Sequence, residues 1–312
     1  MEIYVILHQM VQLFIMMGLG YLLYKVKIID AGFNKKMTRF VLDFTLPLMV
    51  LSSVLEQPAD RDYGVVAEMI VISAGVYIVL PLLAFVTVKF MRIPTGQQGM
   101  YMMMLTYGNV GFMGFPVLNA IYGSTAVFYA AILNIVFNVS AFSAGVIMVN
   151  YGCGGDAAGG VPKFNFRSLL SPGTVISILS VLIYFSGIIF PDDIVSVCSS
   201  VGNMTSPLAM VIIGATLATM DVKSVFDDWR IYPFTLVKQI ALPFVMWVIM
   251  RVFIRDDMLL GICTVLMMMP VANICVMLAN MHDRDEKLAA RGVFITTLFS
   301  IVSVPVMLYF MV

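Results

Sequence analysis

The side chains best suited to bind a small ligand lie in a short apolar stretch that also contains residues unfavourable to a helix. Residues 107–116 read Tyr-Gly-Asn-Val-Gly-Phe-Met-Gly-Phe-Pro, in the middle of an apolar segment from Met100 to Leu118. Inside a helix, glycine costs about 1 kcal/mol and proline about 3 kcal/mol relative to alanine. An amide donates and accepts hydrogen bonds, so Asn109 beside broken backbone is suited to contact a ligand. Close helix packing through small residues is the alternative interpretation.

A second stretch of this kind lies at residues 269–273, which read Met-Pro-Val-Ala-Asn. Proline is favoured in the first turn of a helix, so we expect each proline to begin the half-helix that follows a break. The positive N-terminal end of a half-helix, with its free N–H groups, attracts an anion, a carboxylate especially. From the two stretches we predict the substrate contacts Gly108, Asn109, Gly111, Gly114, Ala272 and Asn273, with Pro116 and Pro270 as the prolines of the breaks.

Further polar side chains lie in other apolar segments. Asn134 and Asn138 are four residues apart and so share one helix face. Either they contact substrate, because polar groups in membranes usually face the bundle interior, or they hydrogen-bond a neighbouring helix. Val50 and Thr205, each close to a proline, are additional candidates to face the cavity.

Two charges lie deep in apolar segments. Asp43 and Lys238 are each about 10–12 Å from the predicted cytoplasmic end of their helix at helical rise. In one interpretation, the two side chains form an ion pair, or the carboxylate couples transport to protons. In the other, which we favour, Lys238 extends to the interface and Asp43 caps the helix or meets water there.

The composition is that of a membrane protein. Of 312 residues, 61% are hydrophobic and 12% are charged, with a mean hydropathy of +0.98. A net charge of zero gives no field that would attract nucleic acid. The four cysteines are scattered without metal-ligand spacing. No nucleophile–base pair or nucleotide loop is present, so we predict neither an enzyme nor a cofactor or metal. We expect movement of the ligand across the membrane to be driven by the ligand's own gradient or by coupled H+ or Na+.

Apolar runs and polar breaks predict an all-α membrane protein with ten spans, each long enough to cross about 30 Å of hydrocarbon. The predicted spans cover residues 3–24, 37–55, 64–89, 97–119, 124–149, 169–189, 194–219, 230–252, 258–280 and 287–311. The glycine-rich connection 150–168 is predicted to be a flexible cytoplasmic linker between two halves, residues 1–149 and 169–312.

The distribution of lysine and arginine predicts that both termini lie outside. With an outer N-terminus, three basic residues fall in outer loops, Arg61, Arg251 and Arg255. The inner loops then hold fourteen, namely Lys25, Lys27, Lys35, Lys36, Arg39, Lys89, Arg92, Lys163, Arg167, Lys223, Arg230, Arg284, Lys287 and Arg291. Loops rich in lysine and arginine remain in the cytoplasm.

The two halves repeat each other. Short matches recur in the same order at an offset of 160 to 162, such as Thr45-Leu-Pro-Leu with Thr205-Ser-Pro-Leu and Leu80-Pro with Leu242-Pro. Five spans per half is an odd number, so the second copy must be inverted in the membrane. Inverted repeats with broken helices are typical of transporters, whose substrate site lies near the middle of the membrane where the repeats meet.

The chain resembles the auxin efflux carrier family in its short bacterial form. The resemblance rests on Gly-Asn-Val-Gly-Phe-Met-Gly-Phe-Pro-Val in span four, Phe44-Thr-Leu-Pro-Leu in span two, Ser206-Pro-Leu with Ile213-Gly-Ala-Thr-Leu in span seven, and Pro270 in span nine. It implies that spans four and nine cross at their breaks, that spans 1, 2, 6 and 7 form a scaffold, and that spans 3, 4, 5, 8, 9 and 10 form a moving transport domain. It also implies a homodimer and a polar substrate-facing side chain at Asn134.

Members of that family carry organic anions, auxin in plants and malate or malonate in bacteria. The short linker argues against a plant carrier, so we expect a bacterial cytoplasmic membrane. We therefore predict a secondary transporter of a small organic anion that works by an elevator-type motion. The alternatives are a sodium-coupled carrier of the related bile-acid symporter type, a channel, or an intramembrane enzyme.

Overall fold

The computed structural model describes residues 3–57, 62–152, 172–219 and 228–311, and in these ranges the chain is helical without a named strand. Its helices are α1 (Ile3–Lys25), α2 (Ala31–Phe40), α3 (Leu46–Leu55), α4 (Tyr63–Phe90), α5 (Thr95–Thr106), α6 (Phe115–Tyr122), α7 (Ser124–Val149), α8 (Pro172–Ser186), α9 (Asp192–Asn203), α10 (Thr205–Thr219), α11 (Ile231–Leu236), α12 (Leu242–Phe253), α13 (Asp257–Met268), α14 (Asn273–Met281) and α15 (Glu286–Met311). The predicted linker lies outside the described residues from position 153 onward.

Several helical stretches are long and apolar enough to cross a membrane. In the described residues there are six of these, at Ala31–Leu55, Tyr63–Phe90, Ser124–Val149, Asp192–Thr219, Ile231–Phe253 and Glu286–Met311. Shorter apolar helices lie at Val11–Lys25, Val110–Tyr122, Thr174–Ser186 and Asp257–Met268. All of these stretches overlap the predicted spans, and the all-helical class is confirmed for the described residues. The ten-span inverted topology stays a prediction.

The helix is interrupted at both of the predicted breaks. Helix α5 ends at Thr106 and helical structure resumes at Val110, whereas α13 ends at Met268 and α14 begins at Asn273. The predicted role of Pro270 is wrong, because it lies before the helix that follows its break, whereas Pro116 does lie in the first turn of α6. Pro270 precedes α14 in the extended stretch, and Pro116 follows the resumption at Val110 by six residues.

In the described residues, three π-helical turns that were not predicted from the sequence each lie just before a proline. They span Val41–Thr45, Val110–Gly114 and Val237–Ala241, and Pro47, Pro116 and Pro243 follow them. Proline lacks an N–H group and its ring clashes with the carbonyl four residues earlier. A wider turn accommodates that carbonyl, so the helix continues through the proline.

Glycines bring several helices into backbone contact. The Cα of Gly20 in α1 lies against the carbonyl of Val211 in α10, and the Cα of Gly214 in α10 lies against the carbonyl of Met17. A Cβ atom at Gly202 in α9 would come within 2.7 Å of the Cα of Met49 in α3. These contacts hold α1, α3, α9 and α10 together as one packed group.

Candidate substrate site

The two helix breaks cross each other and pair through their backbones. Gly108 and Val271 form an antiparallel bridge. On its two sides the N–H of Asn109 donates to the carbonyl of Pro270 at 2.7 Å, and the N–H of Ala272 donates to the carbonyl of Tyr107 at 3.1 Å. Unwound backbone inside a membrane must have such partners. The bridge therefore makes it possible for two helices to be broken at the same depth.

Glycine at position 108 suits this crossing because the two segments approach closely there. A Cβ atom at position 108 would lie 3.2 Å from the carbonyl oxygen of Met269 and 3.3 Å from that of Leu266. The remaining inward N–H group, that of Val271, donates to Oγ1 of Thr296 in α15 at 3.0 Å. Helix α15 thus supports the crossing from behind.

Backbone donors remain unused on the open side of the crossing. The side-chain oxygen of Asn109 accepts from the N–H of Phe112 at 3.2 Å, which caps the π-helical turn. The N–H groups of Gly111, Asn273 and Ile274 have no acceptor among the described residues. Two N-terminal helix ends therefore present free donors and positive dipole ends at one place.

A cavity of about 470 Å³ lies over these donors. Its polar or glycine lining residues are Asp43, Gly108, Asn109, Gly111, Asn134, Asn138 and Asn273. Its apolar walls are formed mainly by Leu42, Leu46, Phe112, Phe115, Phe137, Phe142, Ile274 and Met277. Among the described residues, the lining contains amides and free N–H groups but no lysine or arginine.

A smaller and more polar cavity of about 150 Å³ adjoins the first. Asn109, Phe112 and Asn273 line both cavities, so the two asparagines stand between them. Hydroxyl groups of α2, α10 and α15 add to its lining through Thr38, Thr216 and Thr297.

The structure brings most of the predicted contacts together. Gly108, Asn109, Gly111, Asn134, Asn138, Ala272 and Asn273 all line the larger cavity, together with Asp43. Val50 and Thr205 are fully buried and line neither of these cavities. Gly114 serves packing, because a Cβ atom there would lie 2.6 Å from the side chain of Leu266. Pro116 and Pro270 line neither cavity.

The two asparagines of α7 differ in their free hydrogen-bonding groups. Nδ2 of Asn138 donates to the carbonyl of Asn134 at 2.8 Å, which leaves the side-chain oxygen of Asn138 as an acceptor. The side-chain amide of Asn134 has no partner among the described residues. Asn134 is therefore the better placed of the two to donate to a ligand.

The aromatic wall of the cavity and the support from α15 were not predicted from the sequence. The ring of Phe137 meets the ring of Tyr107 edge to face, with centroids 5.5 Å apart, and the Tyr107 hydroxyl donates to the carbonyl of Ser140 at 2.8 Å. The i, i+3 spacing of Phe112 and Phe115 was a visible signal for one part of this wall. No local pattern distinguishes Thr296 from other threonines in apolar helices.

The two deep charges do not meet. Oδ2 of Asp43 accepts from Nε of Arg39 at 3.1 Å, and both side chains are exposed, so Asp43 lies in the environment that we favoured. Lys238 is 2% exposed and donates to the carbonyl of Leu105 at 3.0 Å. Its predicted extension to the interface is wrong, since the side chain turns to the carbonyl end of α5. The alternative ion pair of Asp43 with Lys238 is likewise absent.

Apolar spanning helices, paired helix breaks and a cavity lined by amides define a membrane transport protein. A family model described as "Membrane transport protein" matches residues 5–158 and 161–308, nearly the whole chain. The chain therefore belongs to this family, which is that of the auxin efflux carriers. A search among curated proteins found no significant match.

Proposed function

We propose that the protein is a secondary transporter of a small organic anion and that its substrate binds in the 470 Å³ cavity at the crossing. The observation that carries this proposal is the pairing of the two breaks through Gly108 and Val271. This pairing places the free N–H groups of Gly111, Asn273 and Ile274 in the wall of one cavity. Backbone donors at helix N-termini bind carboxylates without a cationic side chain.

The lining favours a carboxylate with an apolar body. Free N–H groups and the amides of Asn109, Asn134 and Asn273 offer donors for one carboxylate, while four phenylalanines offer apolar contact. A second carboxylate would lie against these phenylalanines, since the described lining residues include no lysine or arginine. An auxin-like monocarboxylate therefore fits better than malate or malonate, the other two substrates implied by the family.

The cavity extends from the crossing towards the side with the basic loops. Asp43 follows Lys35, Lys36 and Arg39 in the chain, and Met277 is followed by the turn with Arg284. At the opposite end, the ring of Tyr184 stacks on that of Phe128 with centroids 4.7 Å apart. With basic loops inside and both termini outside, this conformation is open to the cytoplasm.

In this proposal transport proceeds by alternating access of an elevator type. The packed group of α1, α3, α9 and α10 belongs to the scaffold, together with α2 and α8. The crossing and α4, α7, α12 and α15 belong to the moving body. Two copies of the chain form a homodimer in a bacterial cytoplasmic membrane. Coupling to H+ or Na+, including a sodium-coupled carrier of the bile-acid symporter type, is the alternative mechanism, and a channel is the second.

Thermal unfolding of the detergent-purified protein tests the proposal. We expect indole-3-acetate to raise the midpoint of unfolding more than malate or malonate does, because a bound ligand stabilises the folded state. The shift should disappear in Asn109→Ala and persist in Asn119→Ala, a matched control in α6 outside both cavities. If no carboxylate shifts the midpoint, the anion site is wrong. Flux through liposomes that does not saturate with substrate would instead support the channel.

A further inference from the structure

Lys238 is a positive charge buried beside the crossing. Its side chain is 2% exposed, and it lies in the π-helical turn Val237–Ala241 between α11 and α12. No carboxylate of the described residues lies within 4 Å of its ammonium group, and the acidic residue that lines the larger cavity, Asp43, pairs with Arg39. A lysine kept inside a membrane helix without an acidic partner calls for a functional explanation.

The ammonium group contacts the carbonyl end of a half-helix. Helix α5 ends at Thr106, so its last carbonyls lack the usual partners within the helix. The carbonyl of Met103 accepts from the N–H of Tyr107 at 2.9 Å, and that of Leu105 accepts from Nζ of Lys238 at 3.0 Å. The carbonyl end of a helix carries a partial negative charge and attracts cations. The lysine therefore occupies a place that is suited to a cation.

The hydrogen bonds of Cys275 and of Gln239, the residue after Lys238 in the chain, also go to neutral groups. Cys275, whose Sγ lies 3.7 Å from the carbonyl of Met103, faces the same helix end from α14. The neighbouring Gln239 bonds only neutral groups of α15, with Nε2 donating to the carbonyl of Thr296 at 3.3 Å and Oε1 accepting from Ser303 at 3.0 Å. None of these groups carries a negative charge that would offset the charge of Lys238. The electric field of Lys238 therefore reaches the crossing at Asn109, four residues after Leu105 in the chain.

Transporters with broken helices bind coupling ions at half-helix carbonyl ends and unwound carbonyls. In this protein the ammonium group of Lys238 already occupies the carbonyl end of α5. We propose that Lys238 is a built-in cation, which supplies the positive charge for binding the substrate anion in place of a sodium ion. This inference rests on the proposed function, since it concerns the same crossing. Lys238 lines neither cavity, so it acts on the substrate through the positive charge that it places at the carbonyl end of α5. It is therefore a positioning residue.

Binding of indole-3-acetate and of its neutral amide, indole-3-acetamide, to the purified protein tests this inference, in sodium chloride and in choline chloride. We expect the affinity of the wild type for the carboxylate to be the same in both salts within twofold. We expect Lys238→Gln, which keeps a donor for Leu105 but loses the charge, to bind the carboxylate at least tenfold more weakly. Its affinity for the amide should be unchanged, whereas a merely structural lysine would affect both ligands alike.

The matched control is Lys89→Gln. Lys89 is also a hydrogen-bonded lysine in a spanning helix, with its ammonium 2.8 Å from the side-chain oxygen of Gln98, but it lies near the end of α4. It should leave both affinities unchanged. A tenfold gain in wild-type affinity with sodium, or a Lys238→Gln protein that binds the carboxylate normally, would overturn the built-in cation alone.

Two further outcomes also decide the question. If Lys238→Gln does not fold, a higher wild-type affinity in sodium than in choline still overturns the inference, because a built-in cation requires equal affinities in the two salts. If the wild type binds neither the carboxylate nor malonate nor malate in either salt, the proposed function fails and this inference with it.

Discussion

The backbone N–H of Asn109 donates to the carbonyl of Pro270 at 2.7 Å, although 161 positions separate the two residues in the chain. This bond and its counterpart between Ala272 and Tyr107 join the two breaks at one point. Each break alone would leave unpaired backbone groups in hydrocarbon, at several kcal/mol each by order of magnitude. The two bonds pair one donor and one acceptor of each break, while the N–H groups of Gly111, Asn273 and Ile274 keep no acceptor among the described residues. The crossing is thus a structural element and, in the proposed function, also the element that binds the substrate.

The crossing should be intolerant of any side chain at Gly108. In Gly108→Ala the new Cβ atom would press on the carbonyls of Met269 and Leu266, at 3.2 and 3.3 Å. We expect a loss of about 1–3 kcal/mol in the free energy of unfolding, the usual effect of overpacking, together with a loss of transport. Thermal unfolding and uptake into liposomes measure the two effects.

Gly111→Ala is the control for this substitution. A Cβ atom at position 111 meets only the side chain of Leu46, at 3.7 Å, which is an ordinary contact. Gly111→Ala should therefore keep wild-type stability. Equal stability of the two variants would contradict the close approach at Gly108.

Asn109 should matter for both binding and local structure. Its side-chain oxygen caps the N–H of Phe112, and its amide nitrogen has no acceptor among the described residues. Asn109→Asp keeps the cap but places a negative charge at the cavity wall. We therefore expect Asn109→Asp to keep its stability and to lose carboxylate binding at least tenfold. Asn109→Ala should lose both, with about 1 kcal/mol from the cap.

Titration of each variant with indole-3-acetate, followed by thermal unfolding, separates the two effects. Asn119→Ala serves again as the control. An Asn109→Asp protein that binds the carboxylate like the wild type would show that this side chain only supports the backbone.

Thr296 should stabilise the crossing from α15. Its Oγ1 accepts from the N–H of Val271 at 3.0 Å and donates to the carbonyl of Gly292 at 2.7 Å. Thr296→Val keeps the shape and leaves the N–H of Val271 buried without a partner, which costs about 1–3 kcal/mol. Thermal unfolding should show this loss, and Thr296→Ser should restore most of the stability.

Thr264→Val is the matched control. Thr264 is equally buried, but its hydroxyl only donates to the carbonyl of Leu260 within its own helix, at 2.7 Å. Its replacement should be much less destabilising. A Thr296→Val protein as stable as Thr264→Val would mean that the bond to Val271 is dispensable.

The larger cavity should be accessible to water from the cytoplasmic side. Asn138 lines this cavity, whereas Ser124 lies at the opposite end of the same helix, α7. With the four native cysteines replaced by alanine, Asn138→Cys should react with a charged, membrane-impermeant thiol reagent in inside-out vesicles. Ser124→Cys should react in right-side-out vesicles. The reverse pattern would invert the predicted orientation of the termini.

Much of the outline of this protein follows from its sequence. Apolar runs of about 20 residues have few other uses than spanning a membrane, and glycine, amide and proline together weaken a helix wherever they occur. The two breaks and most of the cavity residues, Asn109, Asn134 and Asn273 among them, could therefore be predicted from residue types alone. Helix bounds were predicted to within a few residues, except at Ala31, where the cap from Asp30 begins α2 earlier than expected.

Only the tertiary structure decided which groups meet. The pairing of Gly108 with Val271 joins positions far apart in the chain, and no local pattern encodes it. The same is true of Lys238, whose depth in its helix was correctly predicted but whose direction was not, because the nearest acceptor is the end of another helix. The burial of Val50 and Thr205 likewise depends on neighbouring helices. Residue type and spacing determine local backbone preference and membrane insertion, whereas contacts between distant segments depend on how all the helices pack together.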